Sequence, residues 1–293
     1  MTKSFSIICA LVTTFIWGTA FIAQDTGMDN IGPLTFNAAR FLVGFLTVLP
    51  FALFFERKKI FKQIQLDKKK FLKYLTIMGV SLFLGTSLQQ TSLQYTNVAN
   101  AAFFTVFYVP LVPILLFLIY SQKVHWSIWP SIGLCIYGVY LLSNFSNTEI
   151  MMGDGLVILC SLFWALHIIF AGKFMEIFDI PIFYAAMQAM LVTILSFFFA
   201  YIFEDIIFSD ILLESYSIIY AGVLSGGIAF TLQMFAQKNI EEAPAAIIYS
   251  LEGVFAVIAA WIILDQILNL NNIVGCILIL LAVIFSQVAP TVK

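Results

Sequence analysis

The sequence predicts an all-α integral membrane protein: ten transmembrane helices in two inverted five-helix repeats, with N- and C-termini cytoplasmic. Three observations carry this reading. The 293-residue chain is 62% hydrophobic and only 10% charged, with a mean hydropathy of +1.02. A soluble domain has about 45–50% apolar and about 25% charged residues. The apolar residues gather into ten segments close to the roughly 20 residues that cross a bilayer core. The cations then fall on one side of the resulting topology. A soluble chain of this make-up would lack polar side chains to cover its surface, which excludes soluble globular, disordered and nucleic-acid-binding classes.

The segments run over about 6–24, 34–55, 72–91, 98–120, 126–142, 154–173, 181–203, 216–237, 244–264 and 270–289. The first follows Lys3. It is too long for a signal-peptide core and lacks a small-residue cleavage site, so it counts as a helix. Pro33 opens the second and Pro181 the seventh, the position where proline starts a helix without losing a bond. Between the second and third lies the basic run over 56–70, read as an orienting cytoplasmic loop, with a lipid or partner site as the lesser reading. The loop 204–215 carries Glu204, Asp205, Asp210 and Glu214 and reads as a solvated outer loop. The Asn144-Phe145-Ser146 sequon reads as a chance match. Ten spans leave about 90 residues for loops and tails, too few for a soluble catalytic domain. Cys9, Cys135, Cys160 and Cys276 all fall in apolar segments and read as small hydrophobes.

With the N-terminus inside and ten crossings, every Lys and Arg among the 14 falls on the inner side except Arg40, which lies within a span. The outer loops near 25–33, 92–97, 143–153, 204–215 and 265–269 hold none. One span more or fewer would put later lysines outside, against the positive-inside rule.

The two halves, 6–142 and 154–289, resemble each other. Trp17 corresponds to Trp164, Pro33 to Pro181, and Gly79, Gln90 and Gln94 to Gly222, Gln233 and Gln237. Ala101, Thr105 and Tyr108 correspond to Ala245, Tyr249 and Glu252. Five spans per half is an odd number, so the second half enters the membrane from the opposite face. Inverted repeats are a recurring plan of secondary transporters, with the substrate site near the midplane between them.

The chain resembles the drug/metabolite transporter (DMT) superfamily in its ten-helix form with two EamA repeats. The resemblance rests on Phe15 to Phe21 around Trp17, on Phe36 to Arg40 after Pro33, and on Ser250-Leu251-Glu252-Gly253-Val254-Phe255 leading into Ala259-Ala260-Trp261. Such repeats usually carry proline in the last motif. Here Gly253 stands there, while the first repeat keeps Pro110. Gln122 and Asp265-Gln266 stand near the places where the family usually has glutamate. The resemblance implies a secondary transporter of the cytoplasmic (inner or plasma) membrane moving a small organic metabolite, an amino acid or related compound, with export favoured over uptake.

Polar groups inside a membrane need a partner or a water-lined cavity. Arg40 and Glu252 are the two charges set well inside spans, each costing about 2.5–3.5 kcal/mol at a helix centre. Their axial separation is about 9 Å at 1.5 Å per residue. A substrate could bridge that gap; Glu252 would meet a solute amine or carry a coupling proton. Arg40 is also shallow enough to snorkel outward. Helical spacing sets Tyr249 and Glu252 on one face of the ninth span, Thr105 and Tyr108 on one face of the fourth. Gly79, Thr86 and Gln90 share a face of the third, and Gly222, Gln233 and Gln237 a face of the eighth. These faces are the candidate cavity walls, with interhelical packing as the alternative for the glycines. Trp17 and Trp164 stand mid-span, away from interfacial belts. His167 is a candidate proton carrier or a hydrogen-bonded structural histidine.

No metal or catalytic motif is present in the sequence, and His125 and His167 are its only histidines. The expectation is a non-enzyme without cofactor, in contact with membrane lipids and a small-molecule substrate, with no nucleic acid; proton coupling and a homodimer stay open. The rival readings are a non-transporting membrane partner or sensor, and an intramembrane lipid-modifying enzyme. The enzyme would need clustered carboxylates or histidines, where the sequence offers isolated ones.

Overall fold

The computed structural model describes residues 2–96, 98–142, 151–263 and 268–288. The Asn144 sequon, the Asp265-Gln266 pair and Lys293 lie outside the described residues. Every regular element among the described residues is helical: α1 Lys3–Thr26, α2 Pro33–Phe55, α3 Arg57–Leu66, α4 Lys68–Ser92, α5 Val98–Thr105, α6 Tyr108–Tyr120, α7 Ile128–Leu142, α8 Met152–Ile177, α9 Pro181–Phe203, α10 Phe208–Leu213, α11 Ser215–Tyr220, a π-helical stretch Ala221–Ala229, α12 Phe230–Ala236, α13 Glu242–Tyr249, α14 Leu251–Ile263 and α15 Leu270–Val288. Nine apolar helical stretches among the described residues are long enough to cross a membrane. The tenth expected segment is α7, whose 15 residues are shorter than that length.

The ends of the chain meet: Lys3 Nζ donates to the Gln287 carbonyl at 3.3 Å. Lys59 and Lys238 both bond to Asp179. A cleft lined by Lys3, His125, Glu176, Lys238, Glu242 and Gln287 gathers the same connections. The basic loops therefore share one end of the bundle, called here the basal end.

Helices α2 and α9 pack along each other in opposite directions, and two carboxylates fix the pairing. Glu56, at the end of α2, accepts from the first amides of α9, Ile182 N at 3.1 Å and Phe183 N at 2.7 Å. Glu204, at the end of α9, accepts from Leu34 N and Thr35 N at 2.8 Å and from Thr35 Oγ1 at 2.7 Å. Each satisfies amides that a helix start leaves unpaired and sits at the positive end of the helix dipole. The loop read as solvated is thus partly structural. Glu214 also accepts from Asn30, at 2.7 Å from Nδ2.

The halves interlock further. The start of α1 is tied to the α12–α13 connection, where Ser6 Oγ accepts from Asn239 Nδ2 at 2.9 Å. Correspondingly, the start of α8 is tied to the α4–α5 connection, where Asp154 accepts from Thr96 Oγ1 at 2.5 Å and from Asn100 Nδ2 at 3.1 Å. Gly79 and Gly222 are packing positions. A Cβ on Gly79 would meet Leu191 Cδ1 of α9 at 2.7 Å, and one on Gly222 would meet the Arg40 carbonyl and Val43 Cβ of α2 at 2.7 Å.

Two spans are broken at corresponding places. The fourth turns at Val106 and Phe107 between α5 and α6, and the ninth at Ser250 between α13 and α14. Pro110, lacking an N–H, cannot bond back to Val106; Val109 N does so instead, at 2.8 Å. In the ninth span Gly253, a weak helix former, bonds back to the Ser250 carbonyl at 3.3 Å. Ser250 Oγ donates to the Ile247 carbonyl at 2.7 Å and receives the Cys135 thiol at 3.1 Å. Tyr108 and Glu252 therefore open the second halves of the two broken spans.

Candidate functional site

A cavity lies where the two repeats meet. It is lined by Trp17, Phe21 and Gln24 of α1, Arg40 of α2, Thr86 and Gln89 of α4, and Tyr108 of α6. The second repeat supplies Trp164 and Ile168 of α8, Ser225 of the π-helical stretch, Phe230 and Gln233 of α12, Tyr249 of α13 and Glu252 of α14.

Its walls are aromatic. Trp17 and Trp164 face each other with ring centroids 6.2 Å apart. Phe230 lies 5.2 Å from Trp17 and stacks nearly parallel to Trp164 at 6.3 Å. Tyr249 closes on Trp17 edge-on at 5.6 Å. Such offset and edge arrangements suit ring quadrupoles. The backbone of α1 approaches α14 closely at Gly18, where a Cβ would sit 2.6 Å from the Glu252 carbonyl. That approach brings the Trp17 ring to the break in the ninth span.

Arg40 is 3% exposed. Its Nε donates to Asn37 Oδ1 at 2.8 Å, and its guanidinium stands over Phe36 and Phe41 at 5.5 and 5.1 Å. It points into the protein rather than snorkelling outward. Among the described residues, no ion pair within 4.0 Å joins Arg40 to Glu252 or to any other carboxylate. The cavity therefore carries a cation and a carboxylate that are not spent on each other. Around them, the Tyr108 and Tyr249 hydroxyls and both amide atoms of Gln233 are buried without a hydrogen-bond partner among the described residues. Buried polar groups are nearly always paired, so these groups are free to bond water or a polar guest in the cavity.

Two glutamines bridge helices beside the cavity and are candidate closures. Gln90 Nε2 donates to the Gln24 carbonyl at 2.7 Å, joining α4 to α1. Gln237 Nε2 donates to the Ile168 carbonyl at 2.7 Å, joining α12 to α8. Gln237 also lines the basal cleft, while Ile168 lines the cavity. The space open to water centres inside the cavity is about 40 Å³, room for about three waters at 10–15 Å³ each.

Of the residues singled out from the sequence, Trp17, Arg40, Tyr108, Trp164, Gln233, Tyr249 and Glu252 line this cavity. Thr105 lies behind it, accepting from Gln89 Nε2 at 3.1 Å. Gln90 forms the closure just described. His167 is buried outside the lining and bonded to Gln188 of α9 at 3.0 Å, which is the structural alternative read from the sequence. Gln24 falls on the Trp17 face of the first span in the sequence reading, whereas Gln89, Ser225 and Phe230 were not singled out. Gln24 shares the face of Trp17 two turns on, and Gln89 follows Thr86 by three, so helical spacing pointed to both. Phe230 is one of 31 phenylalanines, and no local signal separates it from the rest.

The model of the EamA-like transporter family matches residues 4–144 and again 151–287. The chain belongs to the EamA-like transporter family. It is therefore a multi-pass integral membrane protein of a transporter family within the DMT superfamily. An uncharacterized transporter of Archaeoglobus fulgidus is 31% identical over 273 residues, covering 93% of this chain and 82% of the relative. The uncharacterized transporter YoaV of Bacillus subtilis is 24% identical, covering 91% of each. A WAT1-related protein of Arabidopsis thaliana is 24% identical over 86% of this chain and 81% of its own length. A solved crystal structure superposes with a TM-score of 0.78 at 13% identity, covering 98% of this chain and 99% of the other. At that identity it speaks for the EamA fold alone.

Proposed function

We propose that this EamA-family protein is an alternating-access carrier for a small zwitterionic metabolite of the amino-acid class, exporting it across the cytoplasmic membrane with the basal end in the cytoplasm. The observation that carries the reading is the cavity at the repeat interface, holding Arg40 and Glu252 unpaired to each other between aromatic walls. A solute carboxylate would meet the Arg40 guanidinium and its amine Glu252, with Trp17, Trp164 and Phe230 taking the apolar part. The cavity as it stands has room for only a few waters, so a solute requires the helices to part. Breaking the Gln237–Ile168 bond opens it to the basal cleft, and breaking the Gln90–Gln24 bond opens it to the opposite end. Two similar halves packed head to tail allow these states to exchange, with bound solute biasing the equilibrium. The basal end carries the lysines, which supports a cytoplasmic assignment. The export direction rests on the family resemblance.

The reading is tested with Glu252→Gln in proteoliposomes. We expect solute exchange to fall at least tenfold, the loss of one buried charge-assisted bond of about 1.5–3 kcal/mol, and any pH dependence of exchange to flatten. Normal exchange with an unchanged pH profile removes Glu252 from both amine binding and proton coupling.

A further inference from the structure

We propose that the outward face of α3 is a docking surface for anionic phospholipid in the membrane leaflet at the basal end. This goes beyond the carrier reading and does not depend on it.

Helix α3 has two faces. Ile60 and Ile64 pack inward against the apolar cluster of Phe71, Phe174 and Phe178. Gln63 Oε1 accepts from Asp179 N at 3.2 Å, and Lys59 Nζ bonds the Asp179 carboxylate at 2.8 Å. These contacts fix the helix against the α8–α9 connection and leave Lys58, Phe61, Lys62 and Leu66 facing outward, with Phe61 71% and Leu66 60% exposed. A merely solvated loop has no use for a phenylalanine and a leucine set among lysines. Cations beside exposed apolar residues on a short helix at the end of a span are the pattern of a segment lying in the headgroup layer. The spans on either side continue the surface, Phe54 and Phe55 at the end of α2 and Leu72 near the start of α4 being exposed. A phospholipid would lay its acyl chains along those side chains and its phosphate among the cations.

The charge balance commits the surface to an anionic headgroup. Between 56 and 73 the acids are Glu56 and Asp67. Glu56 is engaged in capping α9, and Asp67 caps α4 through Lys70 N at 2.9 Å while pairing with Lys70. Among the described residues, Arg57, Lys58, Lys62, Lys68, Lys69 and Lys73 have no ion-pair partner. Each cation near an anionic surface strengthens binding about fivefold.

Native mass spectrometry of the full-length protein in detergent, given phosphatidylglycerol or phosphatidylcholine, tests the assignment. Wild type is expected to retain phosphatidylglycerol and shed phosphatidylcholine. Lys58→Gln with Lys62→Gln should weaken phosphatidylglycerol retention about 25-fold, at roughly fivefold each. Lys58→Arg with Lys62→Arg should restore it. Because loop cations also orient the chain, Phe61→Ser, which keeps every charge, provides a second readout: retention should fall without loss of fold. Equal retention of the two lipids by wild type, or undiminished phosphatidylglycerol retention in both the glutamine and serine variants, overturns the proposal.

Discussion

Glu56 and Glu204 each cap the start of the helix that the other terminates. Glu56 stands as far beyond Pro33 as Glu204 stands beyond Pro181, so the two bonds sets are copies of one contact made from opposite ends of an antiparallel pair. Nothing in a single repeat supplies this partner. The contact exists because the second repeat is inverted relative to the first, and it ties α2 to α9 at both ends while the cavity lies to one side.

The first prediction follows from that arrangement. Glu204→Ala leaves two amides and one hydroxyl of α2 without an acceptor, and Glu56→Ala leaves two amides of α9. Loss of a helix cap costs about 1–2 kcal/mol. Each single variant should lower the unfolding midpoint in detergent, with Glu204→Ala the more costly. The double variant should lose about the sum, since the sites lie at opposite ends of the pair.

The glutamine closures should separate in an accessibility experiment. Gln237→Ala removes the bond from the end of α12 to α8, beside the basal cleft. Its Trp164→Cys derivative should react faster with a polar thiol reagent added from the basal side. Gln90→Ala should speed the same reaction from the opposite side. Equal rates from both sides in both variants would mean that neither bond is a gate.

Two glycines in corresponding places should tolerate a methyl group unequally. In Gly222→Ala the new Cβ meets the Arg40 backbone carbonyl at 2.7 Å, whereas in Gly79→Ala it meets the flexible end of Leu191 at that distance. Overpacking against backbone should cost about 1–3 kcal/mol for Gly222→Ala. Gly79→Ala should cost less, since Leu191 Cδ1 can turn away and only Leu191 Cβ, at 3.1 Å, stays close. Thermal unfolding of the two variants compares them directly.

Asp179 gives a pH dependence. Burial pushes its carboxyl up, but the bonds from Lys238 and Lys59 outweigh this and hold it below the usual carboxylate range. A depressed native value means that its stabilisation is complete above the ordinary carboxylate value of about 3.9 and is lost as pH falls through the native one. With the side chain 44% exposed, solvent screening limits the worth of the pair to about 1 kcal/mol or less. Asp179→Asn should thus be slightly less stable than wild type at pH 5–8, and the difference should vanish in stronger acid.

The architecture was legible because it is written in gross features. Placing Lys3, the Arg57–Lys73 run, Lys123, Lys173 and Lys238 on one side requires an even number of spans, and the Trp17–Trp164 and Pro33–Pro181 correspondences mark the repeat. The cavity was legible in part. Polar residues within an apolar span stand out, which found Glu252, Arg40, Gln233 and the two tyrosines. Gln89 and Gln90 are neighbours on α4, and one residue turns a side chain by about 100°; this sends Gln89 to the cavity and Gln90 to the closure. Glu56 and Glu204 were hidden because an acid at the end of a span reads as solvated until its partner helix is known. Phe230 was hidden because phenylalanine is everywhere in this chain.

The most direct test of the account is counterflow in proteoliposomes preloaded in turn with unlabelled amino acids, sugars or nucleosides, assayed with the matching labelled solute at two pH values. The account predicts transient accumulation of labelled amino acid, competed by other members of its class and abolished or strongly reduced in Glu252→Gln. Absence of counterflow for all three classes, from protein shown to be folded by its unfolding transition, would contradict it.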